Sequence, residues 1–150
     1  MKLQLVVALL GVALLVLAPM TGCEFKGHGN TAHYGIDPLE ATEANFNELV
    51  LQSRQPVMVD CWADWCDWCT VLKPTVHELA ADYQGRAVVA QLNTDEHVKV
   101  AQRYNVKAWP TLLFFKDGKL VDRVEGAAPK AELSAKLNAL LVDSSVANSN

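Results

Sequence analysis

VDCWADWCDWC, at residues 59–69, places two cysteines three positions apart where two predicted elements meet. Residues 57–62 form a short apolar run, which is typical of a buried strand, whereas residues 66–83 have the pattern of a helix. Cysteines at this spacing on a helix lie close enough to form a disulfide. The unpaired N–H groups and partial positive charge of a helix N-terminus favour thiolate over thiol. The motif therefore predicts a reactive dithiol, Cys66 and Cys69.

The helical pattern distinguishes the two cysteines. At about 100° per residue, one face of the helix collects the apolar side chains Leu72, Val76, Leu79 and Tyr83. Cys69 lies about 50° from the centre of this apolar stripe, and Cys66 lies about 110° from it. We therefore expect Cys66 to face solvent and attack a substrate, and Cys69 to be shielded and to resolve the product.

Other chemistries for the pair have less support. A zinc knuckle needs a second pair of ligands, and the sequence offers none downstream. A c-type haem site needs histidine after the second cysteine, where this chain has Thr70. A Cu(I) site on the two thiolates and an inert structural disulfide stay open as alternatives.

Strand and helix signals alternate on both sides of the motif. Asp117-Gly118, between two apolar runs, is a strong signal for a β-hairpin. The further predicted elements are a helix at 42–53 with Thr42 as its N-cap, strands at 87–93, 111–116 and 119–125, and helices at 95–104 and 129–141. This order predicts an α/β fold, a central mixed β-sheet with helices on both faces.

Composition and charge limit the class of protein. The chain has 150 residues, of which 51% are hydrophobic and 20% are charged. This is a globular composition, and it excludes collagen, a disordered polyampholyte and a multi-span membrane protein. The formal net charge is −4 and lysines and arginines form no cluster, so we expect no nucleic-acid binding. We expect a monomer.

The N-terminus has the pattern of a targeting segment. Lys2 precedes residues 3–18, which carry no charged side chain. As a helix this run spans ~24 Å, short of a ~30 Å hydrocarbon core, and it is typical of a secretory signal. Residues 20–23, Met-Thr-Gly-Cys, resemble a bacterial lipobox, in which the cysteine, here Cys23, is acylated. Met20 stands where a lipobox usually has leucine. An uncleaved membrane anchor and a soluble exported protein are alternatives to the lipoprotein.

These segments divide the chain into four parts. Residues 1–22 are the predicted lipoprotein-type signal peptide, and residues 23–36 are a Gly-rich flexible tether. Residues 37–142 form the folded domain, and residues 143–150 are a polar, disordered tail. Each interpretation of the N-terminus exports the domain to an oxidising compartment, the periplasm or the cell exterior.

Several further motifs agree in order and spacing with one family. The sequence resembles the thioredoxin family from about residue 39 to 141, through residues 59–69, Lys73-Pro74, Val106-x-x-Trp109-Pro110-Thr111 and Gly126. The resemblance implies a thioredoxin fold and thiol–disulfide exchange with protein disulfides. The redox-active group that it implies is the Cys66–Cys69 disulfide, and it implies no diffusible cofactor and no metal.

The resemblance also implies roles for individual residues. Asp60 matches the buried carboxylate that takes a proton from the resolving thiol, and Pro110 matches the cis-proline that faces the dithiol. Pro74 matches the proline that kinks the active-site helix. We assign Trp62 to core packing. An exposed apolar rim that binds substrate is expected from Trp65, Trp68, Trp109 and Thr111.

The sequence departs from the family pattern at three places. Asp67-Trp68 replaces Gly-Pro between the cysteines, and Gln91 replaces, by alignment, a buried lysine beside Asp60. Cys61 stands where an aromatic residue is usual, and we expect its thiol to pack rather than to take part in redox chemistry. These departures leave the redox potential and the choice of client open, but not the reaction class.

The functional hypothesis is an exported, membrane-tethered thiol–disulfide oxidoreductase. Asp64 and Asp67 lie near Cys66 and disfavour its thiolate, which removes one reason to expect a strong oxidant. Local charge does not decide the direction alone, and the resemblance to thioredoxins, which act as reductants, supplies the rest. We therefore expect a reductant or disulfide editor, supplied with electrons by a membrane-spanning thiol–disulfide donor. The alternatives are a Cu(I)-binding module, an extracytoplasmic dithiol oxidase, and a non-catalytic adhesion or scaffolding domain.

Overall fold

A computed structural model gives the structure, which describes the backbone of residues 35–146 and the side chains of residues 35–142. The predicted signal peptide, Cys23, nearly all of the tether and the end of the tail lie outside the described residues. Among the described residues, no helix has the length and apolar character needed to cross a membrane.

Five strands form one mixed sheet. Their bounds are Leu39–Glu40 for β1, Val57–Trp62 for β2, Val88–Asn93 for β3, Thr111–Lys116 for β4 and Lys119–Glu125 for β5. The order across the sheet is β1-β3-β2-β4-β5. β3 runs parallel to β1 and β2, and β4 runs antiparallel to β2 and β5. β2 is therefore central, with Asp60 paired to Gln91 on β3 and to Leu112 on β4.

The helical segments differ in extent from the sequence predictions. They are a π-helical turn, Asn47–Leu51, and three α-helices, Asp67–Asp82 for α1, Val98–Arg103 for α2 and Lys130–Val146 for α3. α2 begins three residues late because the Asn93 side chain accepts the Asp95 N–H and holds a turn ahead of it. α3 runs beyond residue 141 into the predicted tail, since no glycine or proline stops it.

The first predicted helix is replaced by a turn and a short π-helical segment that starts at Asn47. Thr42 and Asn45 cap each other, with the Asn45 N–H donating to Thr42 Oγ1 and the Thr42 N–H donating to Asn45 Oδ1. After this cap the chain forms the π-helical turn, which buries Val50. Thr42 therefore makes the side-chain contact expected of an N-cap, but the N-cap of the helical segment is Phe46, and the expected helix is wrong in its start and its type.

Helical segments cover both faces of the sheet, as predicted. Side chains alternate between the two faces along a strand. One face buries Met58, Leu112 and Phe114 against α1 and α3 through Leu72, Val76, Leu79, Leu133 and Leu137. The other face buries Val57, Val59, Cys61, Leu113 and Phe115 against the π-helical turn and α2 through Phe46, Val50 and Val100. Each such side chain contributes about 1.5–3 kcal/mol by leaving water.

The same alternation decides where the chemistry can lie. Asp60 is two residues after Met58 on β2, so its side chain lies on the same face of the sheet, the face that α1 covers. Cys61 belongs to the opposite face. The dithiol motif at the start of α1 therefore lies on the same side of the sheet as Asp60, and Cys61 lies on the other side.

Candidate active site

Cys66 and Cys69 form a disulfide at the N-terminus of α1, with their Cα atoms 5.3 Å apart. Cys66 is the N-cap of the helix and has an extended backbone, with φ −91° and ψ 102°. Its Sγ atom accepts the backbone N–H of Cys69 at 3.0 Å. The helix end thus directs a donor and a partial positive charge at the Cys66 sulfur, which favours a thiolate there after reduction.

The predicted difference in exposure between the cysteines is wrong for this disulfide form, because both are 6% exposed. A helical wheel does not describe Cys66, since an N-cap residue lies outside the helical backbone. Both cysteines pack with Ala63 against Trp62 and Trp109. The two sulfurs are therefore distinguished by the hydrogen bond that Cys66 Sγ accepts from the Cys69 N–H, and not by the exposure of the two residues.

Asp60 is a buried carboxyl, 1% exposed, on the face of β2 that α1 covers. Gln91 Nε2 donates to Asp60 Oδ2 at 3.3 Å, so the predicted neighbour is confirmed. Asp60 Oδ1 has no hydrogen-bond partner among the described residues. Burial raises the pKa of Asp60 from 3.8 to about 6, against the opposing effect of the Gln91 hydrogen bond. A carboxyl with this pKa can both take and release a proton near neutral pH.

A cavity of about 250 Å³ joins this carboxyl to the dithiol. It is lined by Asp60, Trp62, Ala63, Asp64, Cys69, Thr70, Lys73 and Gln91. The lining is partly polar and the volume holds several water molecules. Asp60 and Cys69 therefore line one small compartment, which is the arrangement that a proton transfer between them would require.

Three tryptophans surround the dithiol. Trp65 and Trp68 are 61% and 65% exposed, and Trp109 is half-buried. The Trp65 ring lies edge-on to Trp109 at a centroid distance of 5.0 Å. Trp65 Nε1 donates to Asp95 at 2.9 Å, and Trp109 Nε1 donates to Thr94 Oγ1 at 2.7 Å. The predicted aromatic rim is present, with two of its three indoles fixed by hydrogen bonds.

Thr94 and Asp95 also belong to this site, although no sequence motif identified them. Both follow β3 directly, as Ala63 and Asp64 follow β2. Because β2 and β3 are parallel and Trp62 pairs with Asn93, these segments meet at one edge of the sheet. The carboxyl ends of two predicted neighbouring strands were the signal that could have found them.

The Trp109–Pro110 peptide bond is cis, as the resemblance implied. The Pro110 carbonyl accepts the N–H of Gly126 at 2.7 Å, and Trp109 packs against the two cysteines. Thr111 is completely buried, and its hydroxyl donates to the Ala108 carbonyl at 2.7 Å. The Thr111 side chain therefore closes the turn that contains the proline, and the substrate contact expected of Thr111 stays a prediction.

Comparison with known proteins agrees with this geometry. Residues 37–139 match the family model described as Thioredoxin. The chain belongs to the thioredoxin family. It is 43% identical over 99 residues to a thioredoxin of Chlorobaculum thiosulfatiphilum. These aligned residues make up 66% of this chain and 92% of the relative.

Two further relatives show the same extent of similarity within this chain. Thioredoxin 1 of Nostoc sp. is 45% identical over 98 residues, which cover 65% of this chain and 92% of the relative. The chloroplastic M-type thioredoxin of Spinacia oleracea is 41% identical over 102 residues, which cover 68% of this chain and 56% of the relative. This thioredoxin-family protein is therefore a thiol–disulfide oxidoreductase that acts on protein disulfides.

The residues that depart from the family pattern lie at different depths in the structure. Cys61 is completely buried on the far face of β2, and burial raises its pKa, so its thiol stays protonated. No other cysteine among the described residues belongs to its cluster. Asp67 and Trp68, between the redox cysteines, are both exposed at the start of α1. Pro74 lies inside α1, as expected.

Proposed function

We propose that this thioredoxin-family protein works outside the cytoplasm as a reductant or editor of protein disulfides, with Cys66 as the attacking and Cys69 as the resolving cysteine. The observation that carries this assignment is the 3.0 Å hydrogen bond from the Cys69 N–H to Cys66 Sγ. It selects one of two equally buried sulfurs for stabilisation as a thiolate.

Reduction of a client proceeds in two exchanges. The Cys66 thiolate attacks a client sulfur, so that a Cys66–client bond forms, the client S–S bond breaks and a client thiolate leaves. Cys69 then gives its proton to the Asp60 carboxylate and attacks Cys66, which releases the second client thiolate. The client gains two electrons, the dithiol becomes a disulfide, and solvent protonates the released thiolates.

The aromatic rim is the surface on which we place the client. Trp65 and Trp68, which flank Cys66 in the sequence, are both large and exposed. Exposed apolar surface rimmed by polar residues often marks an interaction site. Trp65 is fixed by Asp95 and by its contact with Trp109, so part of the surface is ordered before a client arrives.

The charges around Cys66 and the similarity to thioredoxins together support the reducing direction. Asp64 and Asp67 are exposed and acidic, so they oppose the effect of the helix N-terminus on the thiolate. Strong oxidants depend on an unusually stable thiolate. We expect a potential below about −180 mV, the isomerase-like range, when the protein is equilibrated with glutathione buffers. A more positive potential together with a strongly acidic Cys66 would point to an oxidase.

Export and membrane attachment are the second part of the proposal. They rest on the uncharged run at residues 3–18 and on the lipobox-like Met-Thr-Gly-Cys that ends at Cys23. A reductant outside the cytoplasm requires electrons from a membrane-spanning thiol–disulfide donor. Cys23→Ala should release the protein from membranes or block its processing, whereas the wild type should fractionate with membranes. A soluble wild-type protein without lipid would contradict the anchor.

A further inference from the structure

The cavity beside Asp60 is bounded on its helix side by Lys73. This lysine is four residues after Cys69 on α1, so both side chains occupy the same side of the helix. Both line the cavity, and the lysine is exposed at its edge. Its flexible four-carbon stem allows the ammonium to turn toward the compartment.

The carboxyl at the base of the cavity needs a partner. Asp60 Oδ1 is buried without a hydrogen-bond partner among the described residues, and Oδ2 receives only the neutral amide of Gln91. An ionised carboxylate in this position is stabilised by a nearby positive charge, acting directly or across water.

The lining residues show which group can supply that charge. β3 contributes the neutral Gln91, α1 contributes Cys69 and Lys73, and the segment after β2 contributes the acidic Asp64. On β4, Asp60 is paired with the apolar Leu112. Of the described residues that line the cavity, Lys73 therefore carries the positive charge.

We propose that Lys73 is the positioning residue for the proton transfer, facing the Asp60 carboxylate across the cavity and setting the pH at which Asp60 accepts the Cys69 proton. This inference rests on the proposed role of Asp60 as the base for Cys69. The proton leaves Cys69 Sγ, binds Asp60 and then passes through cavity water to solvent. Lys73 forms no bond to a reacting atom.

The test is a titration of Asp60 by carboxyl-carbon NMR in reduced protein. Lys73→Met should raise the pKa of Asp60 by about half to one pH unit, less than a direct ion pair provides because water separates the groups. Lys73→Arg should retain the wild-type value. The control of equal charge is Lys119→Met, at the exposed start of β5 and outside the cavity lining, which should leave the titration unchanged.

A kinetic readout separates this role from a merely structural one. Release of a client from a preformed Cys66 mixed disulfide should shift its pH profile upward in Lys73→Met by the same amount as the Asp60 titration. Gln91→Lys should shift both measurements downward, because it places a cation beside the carboxylate. An Asp60 pKa in Lys73→Met equal to that in Lys119→Met would overturn the inference.

Asp60→Asn distinguishes failure of this inference from failure of the proposed function. If this variant resolves the mixed disulfide as fast as the wild type at pH 7, the base role of Asp60 is wrong, and the Lys73 inference is overturned with it. If Asp60→Asn slows resolution while Lys73→Met titrates as wild type, only the role of Lys73 is overturned. Slow resolution in Asp60→Asn together with a raised Asp60 pKa in Lys73→Met supports both.

Discussion

Asp60 lies among apolar neighbours in the central strand, and its burial affects stability as well as chemistry. Its pKa of about 6 in the folded protein exceeds the ordinary value of 3.8, because burial disfavours the charged form. Between these two pH values the folded protein holds a proton that the unfolded chain has lost. The stability that this group contributes is therefore full below about pH 4 and is lost as the pH rises through 6.

This linkage predicts the behaviour of Asp60→Asn. The amide is neutral at every pH, so the variant should be more stable than the wild type at pH 7.5. Because the pKa of Asp60 rises from 3.8 to about 6 on folding, the gain is at most roughly 3 kcal/mol. The difference should close at pH 4, where Asp60 is protonated. Urea unfolding of the oxidised proteins at both pH values measures it, and an equal difference at the two pH values would contradict the account.

Asp122 provides a control of opposite sign. A hydrogen bond from Lys136 lowers the pKa of Asp122, so this carboxylate stabilises the fold at neutral pH and loses that effect as the pH falls below its ordinary value. Asp122→Asn should therefore be less stable than the wild type at pH 7.5. The loss of stability in this variant, measured by the same urea unfolding, should be smaller at acidic pH.

At the scale of elements, the β4–β5 hairpin approaches the π-helical turn closely. Gly118 in the hairpin turn has φ +73°, and a Cβ atom there would overlap the carbonyl oxygen of Leu51. Gly85 has the same φ of +73°, but a Cβ atom there would meet nothing within 4 Å. These two glycines separate the effect of backbone conformation from the effect of contact.

We predict that Gly118→Ala destabilises the protein more than Gly85→Ala. The Gly85 variant incurs only the cost of a left-handed backbone, about 1–2 kcal/mol. The Gly118 variant must also move the hairpin away from Leu51, which should add about 1–3 kcal/mol. Denaturant midpoints compare the two variants, and equal losses would show that the hairpin does not contact the π-helical turn in solution.

Local patterns predicted some elements better than others, for physical reasons. β2, β4 and β5 were predicted to the residue, because each is an apolar or alternating run with a clear stop. β1 was missed, since its two exposed residues form a strand only by pairing with Ala90 and Gln91, far along the chain. Strand pairing of this kind leaves no local signal.

The site shows the same division. Cys66, Cys69 and Pro110 could be identified from motifs, and the Asp60–Gln91 neighbours followed from alignment. The cavity depends on the register between β2 and β3, which the sequence pattern does not contain, whereas the ends of these two predicted strands could have indicated Thr94 and Asp95. The burial of Cys66 was missed because its place as an N-cap, and not helical periodicity, sets its surroundings.

At the scale of the whole molecule, the sheet separates two packed layers and concentrates the chemistry at one edge. α1 brings the disulfide to the end of β2, over the face that holds Asp60, while Cys61 is enclosed on the other face. This arrangement leaves one reactive dithiol among the described cysteines. Exchange through Cys66 followed by resolution through Cys69 is the central prediction.

The most direct test compares two serine variants with a disulfide-containing protein client, followed by mass spectrometry under non-reducing conditions. Cys69→Ser should accumulate a stable mixed disulfide on Cys66, because the attacking sulfur and the Cys69 backbone N–H that stabilises it remain while the resolving thiol is gone. Cys66→Ser should form little adduct and lose exchange. Accumulation on Cys69 in the Cys66→Ser variant, at a rate equal to that of Cys69→Ser, would contradict the assignment.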